Sequence, residues 1–103
     1  MNRHYMRAIP RAWRQIAKVY TALGDEHRQR ILLTFERGER LNVGQIVKVS
    51  TLSRTAVSHH LKSLREAGAL SSEKIGKEVY SWINKDFLVE AMETVVDYIR
   101  RNA

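Results

Sequence analysis

Ser53-Arg54-Thr55-Ala56-Val57-Ser58-His59-His60-Leu61-Lys62-Ser63-Leu64-Arg65-Glu66 is the stretch of this 103-residue chain on which the fold turns. At about 100° per residue, Val57, Leu61 and Leu64 fall together on one side of a helix and need a core to face. Arg54, Thr55, Ser58, Lys62 and Arg65 fall on the opposite side, with His59 at its margin. That outer face mixes small hydroxyls with long cations and holds no carboxylate; Glu66 lies beyond it, toward the helix end. A helix entering the major groove needs this composition, with hydroxyls and Arg to reach base edges and Lys or Arg to hold phosphates. For an arbitrary basic helix, a solvated cationic face is the simpler reading. The flanking sequence decides between the two.

Ser53 is placed to cap this helix, and Ser50-Thr51-Leu52 makes a tight turn before it. Val43–Val49 reads as a short helix on the other side of that turn. Short helix, turn and longer helix make a helix-turn-helix. Further upstream, Trp13, Ile16, Ala17, Tyr20 and Leu23 recur at helical spacing over 10–23, with Pro10 suited to the first helical position and Gly24 to the stop. Asp25 offers the cap of a second helix carrying Ile31, Leu32 and Phe35, expected to close at Gly38.

Downstream of Gly68 the period changes. Leu70–Ile75 and Glu78–Ile83 are rich in β-formers and meet across Gly76-Lys77, a hairpin pattern. Glu73, Lys74, Lys77 and Glu78 cluster at its tip, where Lys74 and Lys77 are candidates to meet phosphate or the minor groove. From Lys85 the helical period returns, with Leu88, Met92, Val95, Val96 and Ile99 on one face. The expected fold is mainly α with a small β-hairpin (α+β), in the order ααααββα. A basic arm over 1–9 precedes one domain over 10–103, which is all that a chain of this length accommodates.

Composition narrows the partners. Eighteen Lys and Arg against 11 Asp and Glu give a net charge of +7 and a pI near 10.1. That balance favours polyanions, nucleic acid first and anionic membrane second. The chain has no cysteine, which excludes disulfides, thiolate metal sites and thiol switches. No apolar run spans a bilayer, and the start, Met1-Asn2-Arg3-His4-Tyr5-Met6-Arg7, lacks the apolar stretch of a signal peptide, so we read the protein as cytoplasmic. No nucleophile elbow, phosphate loop or paired carboxylates point to an enzyme, and adjacent Ser58 and His59 do not face each other on a helix. Among the histidines, His59 belongs to the DNA side and His60 to packing against a neighbouring helix. His27 follows the acidic helix cap Asp25-Glu26, and His4 lies in the arm.

Residues 53–70, closing in Leu64-Arg65-Glu66-Ala67-Gly68-Ala69-Leu70, resemble the recognition-helix signature of the ArsR/SmtB family of winged-helix transcriptional repressors. Ala22-Leu23-Gly24-Asp25-Glu26-His27-Arg28-Gln29-Arg30-Ile31-Leu32 is similar to that family's second-helix start, and Gly76-Lys77-Glu78-Val79-Tyr80 to its wing. The resemblance implies a winged helix-turn-helix that binds double-stranded operator DNA as a homodimer, over an inverted repeat with half-sites a helical turn or a multiple of it apart. DNA contacts are then expected from Ser53, Arg54, Thr55, Ser58, His59, Lys62, Lys74 and Lys77. Pairing is expected through the first and last helices, by Trp13, Ile16 and Tyr20 against Leu88, Met92, Val95 and Ile99. The alternative for these stripes is an intramolecular core.

The chain departs from the family at its two metal sites. Leu41-Asn42-Val43-Gly44-Gln45 stands where one set of cysteines begins, and Lys85, Phe87, Tyr98 and Arg101 stand at the places of the last-helix ligands. None of these suits zinc, so no metal and no cofactor is expected, and the effector stays unassigned. Thr51 replaces a common turn glycine, where backbone strain is expected, and Ser81 a common wing tyrosine. Two other functions fit the same charge and fold: a non-specific, nucleoid-type DNA-binding protein, and a protein-interaction module that uses its last helix on a partner.

Overall fold

The computed structural model describes residues 1–103. A short 3-10 turn, His4–Met6, lies in the arm, a feature that the sequence pattern does not mark. There follow α1 (Arg11–Leu23), α2 (Glu26–Thr34), α3 (Val43–Val49), α4 (Arg54–Glu66), β1 (Leu70–Ile75), β2 (Glu78–Ile83) and α5 (Lys85–Asn102). The order ααααββα and the helix-turn-helix are as expected.

Local chemistry sets most of the boundaries. The Asp25 carboxylate accepts from the backbone N–H groups of His27 and Arg28 and starts α2. Asn42 and Gln45 form a reciprocal capping box that fixes the seven residues of α3. Ser53 Oγ accepts from the Ala56 N–H and starts α4. The far end of α4 closes in a Schellman motif, with Ala69 N–H bonded to the Leu64 carbonyl and Gly68 N–H to that of Arg65. Gly68 has φ +83°, and a Cβ placed there would lie 2.7 Å from Cε2 of Phe87. Only glycine meets both conditions.

Three expectations need correction. Pro10, with ψ 147°, precedes α1 rather than opening it. Helix α2 stops at Thr34, well before Gly38, because Phe35 turns extended and carries its ring into the core; Gly38 (φ +75°) serves the turn after it. Thr51 is unstrained, since no residue other than glycine has a positive φ.

The core collects one face from each helix: Ile16, Val19 and Ala22 of α1, Ile31 of α2, Ile46 of α3, Val57, Leu61 and Leu64 of α4, and Leu88 and Ala91 of α5. The hairpin strands pair in antiparallel register from Leu70 opposite Ile83 to Ile75 opposite Glu78. Gly76 (φ +63°) occupies the first central turn position and Lys77 has a negative φ, the signature of a type II′ turn. Leu41 adds a backbone bridge to buried Ser81, which anchors the loop before α3 to the hairpin base. No helix is long and apolar enough to cross a membrane.

Candidate nucleic-acid interface

Helix α4 divides as its period requires. Val57, Leu61 and Leu64 are buried, while Ser53, Arg54, Thr55, Ser58, His59 and Lys62 are exposed together on one side. Arg65, expected on this side, is half-buried. The packing of α2, α3 and α1 against the inner face holds the outer one rigidly. The Arg54 guanidinium reaches back over the first turn of α3, where a Cβ on Gly44 would lie 3.9 Å from it. Lys62 approaches Glu66 at 3.9 Å, but both ends are highly exposed, and such a pair is worth only about 0.3–0.5 kcal/mol. It leaves Lys62 free to exchange partners.

His60 sits on the inner margin of α4, against α2. Its Nδ1 lies 3.3 Å from Nη1 of Arg28 and its ring 5.8 Å from that of His27, with His59 on the other side. Arg28 can only donate, so His60 Nδ1 accepts and carries no proton there. Desolvation pushes the His60 pKa below its ordinary 6.5, against the pull of Asp25 and with help from the Arg28 charge. The Asp25 carboxylate is held below its ordinary range, chiefly by the Arg28 backbone N–H and then by that of His27. The same Arg28 side chain donates from Nε to the Ala22 carbonyl at 2.7 Å and from Nη2 to that of Thr21. One guanidinium thus closes the end of α1, braces α2 and meets the recognition helix.

Lys74 and Lys77 are exposed at the hairpin end. At about 3.3 Å per residue, Lys77 stands about 20 Å beyond the hairpin base at Leu70. The structure therefore forms two separate groups, one on α4 and one at the hairpin tip, suited to different points along a duplex. An interaction that sequence reasoning missed steadies the hairpin: the Arg40 guanidinium stacks 3.9 Å from the Trp82 ring centroid and meets Glu73 at 3.2 Å. Glu73 is thereby turned toward Arg40, leaving the two lysines as the cations of the tip.

The residues expected at a dimer interface do not share one environment. Ile16 and Leu88 are only 5% and 8% exposed, inside the protomer's own core. Trp13 and Val95 are half-buried, and the Trp13 ring packs edge-on against Tyr98, 5.4 Å away. Tyr20, Met92 and Ile99 remain exposed, and with Val89 and Val96 they leave an apolar stripe along α5 uncovered. No group of three or more His, Asp or Glu is placed to hold a metal ion.

Comparison with known proteins agrees with this geometry. Residues 25–72 match the family described as bacterial regulatory protein, arsR family. The cadmium resistance transcriptional regulatory protein CadC of Listeria innocua is 31% identical over 83 residues, which span 81% of this chain and 70% of that protein. The transcriptional repressor SdpR of Bacillus subtilis is 26% identical over 83 residues, 81% of this chain and 91% of its own length. An ArsR-like transcriptional regulator from Rhodococcus superposes with a TM-score of 0.74 at 27% identity, covering 86% of this chain and 87% of that one. The homodimeric winged helix-turn-helix domain of a possible ArsR-family regulator from Mycobacterium bovis does so with a TM-score of 0.66 at 25% identity, covering 82% and 80%.

Proposed function

Since this chain belongs to the arsR family of bacterial regulatory proteins, we propose that it is a cytoplasmic repressor that binds an inverted-repeat operator as a homodimer. The observation that carries this reading is the exposed face of α4, which offers Arg54, Thr55, Ser58, His59 and Lys62 on a rigidly packed helix, with its one carboxylate, Glu66, at the far end. In the dimer, each protomer lays α4 in the major groove of one half-site. Arg54, Thr55, Ser58 and His59 face base edges, Lys62 holds phosphate, and Lys74 and Lys77 hold backbone at the hairpin tip. The basic arm (1–9) precedes the DNA-binding domain (10–103).

The uncovered α5 stripe of Val89, Met92, Val96 and Ile99, with Tyr20 of α1, supports pairing through the terminal helices. Steps of three, four and three residues make this stripe a seam that a second copy of the helix fits. Relatives carry cadmium or arsenic resistance in their names, but a thiolate-bound metal is not this protein's signal, because the chain has no cysteine. We assign it no cofactor and no catalytic role.

The test is binding-site selection from random duplex, followed by competition between the selected operator and random DNA at physiological salt. A strong preference for an inverted repeat is expected. Arg54→Ala or Ser58→Ala should reduce that preference by about 1–3 kcal/mol for each base interaction removed. Equal affinity for all duplexes would replace this reading by a nucleoid-type function.

A further inference from the structure

The charge of this protein is concentrated in its first quarter. Residues 1–24 carry Arg3, Arg7, Arg11, Arg14 and Lys18 and no carboxylate, so they supply +5 of the chain's +7. All five side chains are exposed. None is in an ion pair, since the pairs present are Arg28–Asp25, Arg40–Glu73 and Lys62–Glu66. Arg11, Arg14 and Lys18 follow at steps of three and four and form one strip along α1, away from buried Ile16 and Val19.

This placement works against the helix that bears it. Arg11 and Arg14 lie in the first turn of α1, beside the positive end of the helix dipole, and no side chain caps that end. By contrast, α2 starts on Asp25 and Glu26, the stabilising arrangement. Folding gains nothing from the strip, and no internal partner offsets its cost.

The strip is continuous with the base-reading helix. Lys18 and Thr21 face Ser63 and Glu66 of α4, and Ala67 just after it, across an open cleft of about 450 Å³. That path holds one carboxylate, Glu66, in a weak exposed pair with Lys62 at 3.9 Å. From this cleft the positive surface runs from Lys18 to Arg14 and Arg11, about 10 Å along α1 at 1.5 Å per residue, and the arm that precedes α1 adds Arg7 and Arg3.

We propose that this strip is a second DNA contact: the arm and α1 grip the sugar–phosphate backbone beside the half-site read by α4, adding affinity that is blind to sequence. The inference rests on α4 being the base-reading helix. Its occupant is duplex DNA because the strip adjoins α4, lacks any carboxylate of its own and offers unpaired cations to a dense row of phosphates.

The test uses the full chain with Arg7, Arg11, Arg14 and Lys18 all changed to Gln, measured by fluorescence anisotropy on the selected operator and on random duplex over a range of salt. The slope of log K against log salt should fall by about 3.6 per protomer, at roughly 0.9 for each of the four phosphates no longer neutralised. Both DNAs should weaken by the same factor, about ten- to hundredfold at moderate salt, leaving the preference for operator unchanged. Ethylation interference should lose its phosphates beside the half-sites. A slope and affinity equal to those of the unaltered protein would overturn the proposal. Arg11→Glu with Arg14→Glu separates binding from folding: thermal stability should rise as the helix dipole is complemented, while DNA affinity drops at least tenfold. Undiminished binding by that variant would also overturn it. Failure of the α4 reading looks different, since the unaltered protein would then show no preference between duplexes, or Arg54→Ala would leave the preference intact.

Discussion

Gly68→Ala is the substitution whose cost can be worked most directly from the structure. Gly68 ends α4 with φ +83°, a conformation that costs an alanine about 1–2 kcal/mol. The added Cβ would also lie 2.7 Å from Cε2, 3.0 Å from Cζ and 3.2 Å from Cδ2 of Phe87, the first closer than Cβ contacts come and the other two tighter than most. Relieving such overpacking costs about 1–3 kcal/mol, and Phe87 has little room to retreat because it packs against the core. The sum is about 2–5 kcal/mol, a large part of the roughly 5–15 kcal/mol that a domain of this size holds. The damage is not confined to α4. Asn84 Nδ2 donates to the Gly68 carbonyl and Asn84 N–H to that of Ala69, both at 3.0 Å, so the same turn positions the hairpin base and the start of α5. Urea denaturation followed by circular dichroism measures the loss, and a double-mutant cycle with Phe87→Leu divides it. Once Phe87→Leu has removed the ring, only the backbone part of the Gly68→Ala cost, about 1–2 kcal/mol, should remain. A total cost below about 0.5 kcal/mol, or one that Phe87→Leu leaves unchanged, would refute the account of this turn.

Asn42→Ala removes one half of the capping box of α3 and should cost about 1 kcal/mol, read as a lower thermal midpoint. His60 should make stability depend on pH in the neutral-to-acid range. Its folded pKa lies below the unfolded 6.5, so its contribution is complete above that value and is lost as pH falls through 6.5 toward the folded pKa. His60→Gln, which can still accept from Arg28, should flatten that part of a stability-against-pH curve; an unchanged slope would remove His60 as its source. Ile99→Asp with Met92→Lys should convert a dimer to monomers in sedimentation without unfolding the protomer, because both side chains are exposed in it. Lys77→Ala should weaken binding to all duplexes alike and lower the salt slope by about one.

What was legible in the sequence is what short-range chemistry determines. The caps Asp25 and Ser53 lie within three residues of the N–H groups they bind, and the burial of Val57, Leu61 and Leu64 follows from period alone. The hairpin register followed from Gly76 and the flanking β-formers. Pairings between distant positions left no such trace. Arg28 meets His60 across 32 residues and Arg40 meets Glu73 across 33, and an arginine on a helix or loop looks the same whether it braces a neighbour or meets solvent. The end of α2 was missed for a related reason: Phe35 leaves the helix because the core has room for its ring, a tertiary gain that overrides helical continuation.

The α5 stripe shows where periodicity stops being informative about function. At 100° per residue, Ile99 lies about 20° from Leu88 and Met92 about 40° from it, so the pattern puts all three on one face. Yet Leu88 is 8% exposed, Met92 37% and Ile99 54%. The amino-terminal half of α5 meets α1 and the turn at Gly68, while its last turns are held by Val95 against the core and by the Trp13–Tyr98 contact, with Val96 and Ile99 left exposed. An exposed apolar face needs cover from outside the protomer, since each such side chain left in water forgoes roughly 1.5–3 kcal/mol of burial. Period alone does not separate the residues that serve the fold from those that serve a second copy. Exposure in the folded protomer does: Leu88 joins Ile16 in the core, while Val89, Met92, Val96 and Ile99 stay uncovered and are the residues we propose for the dimer seam.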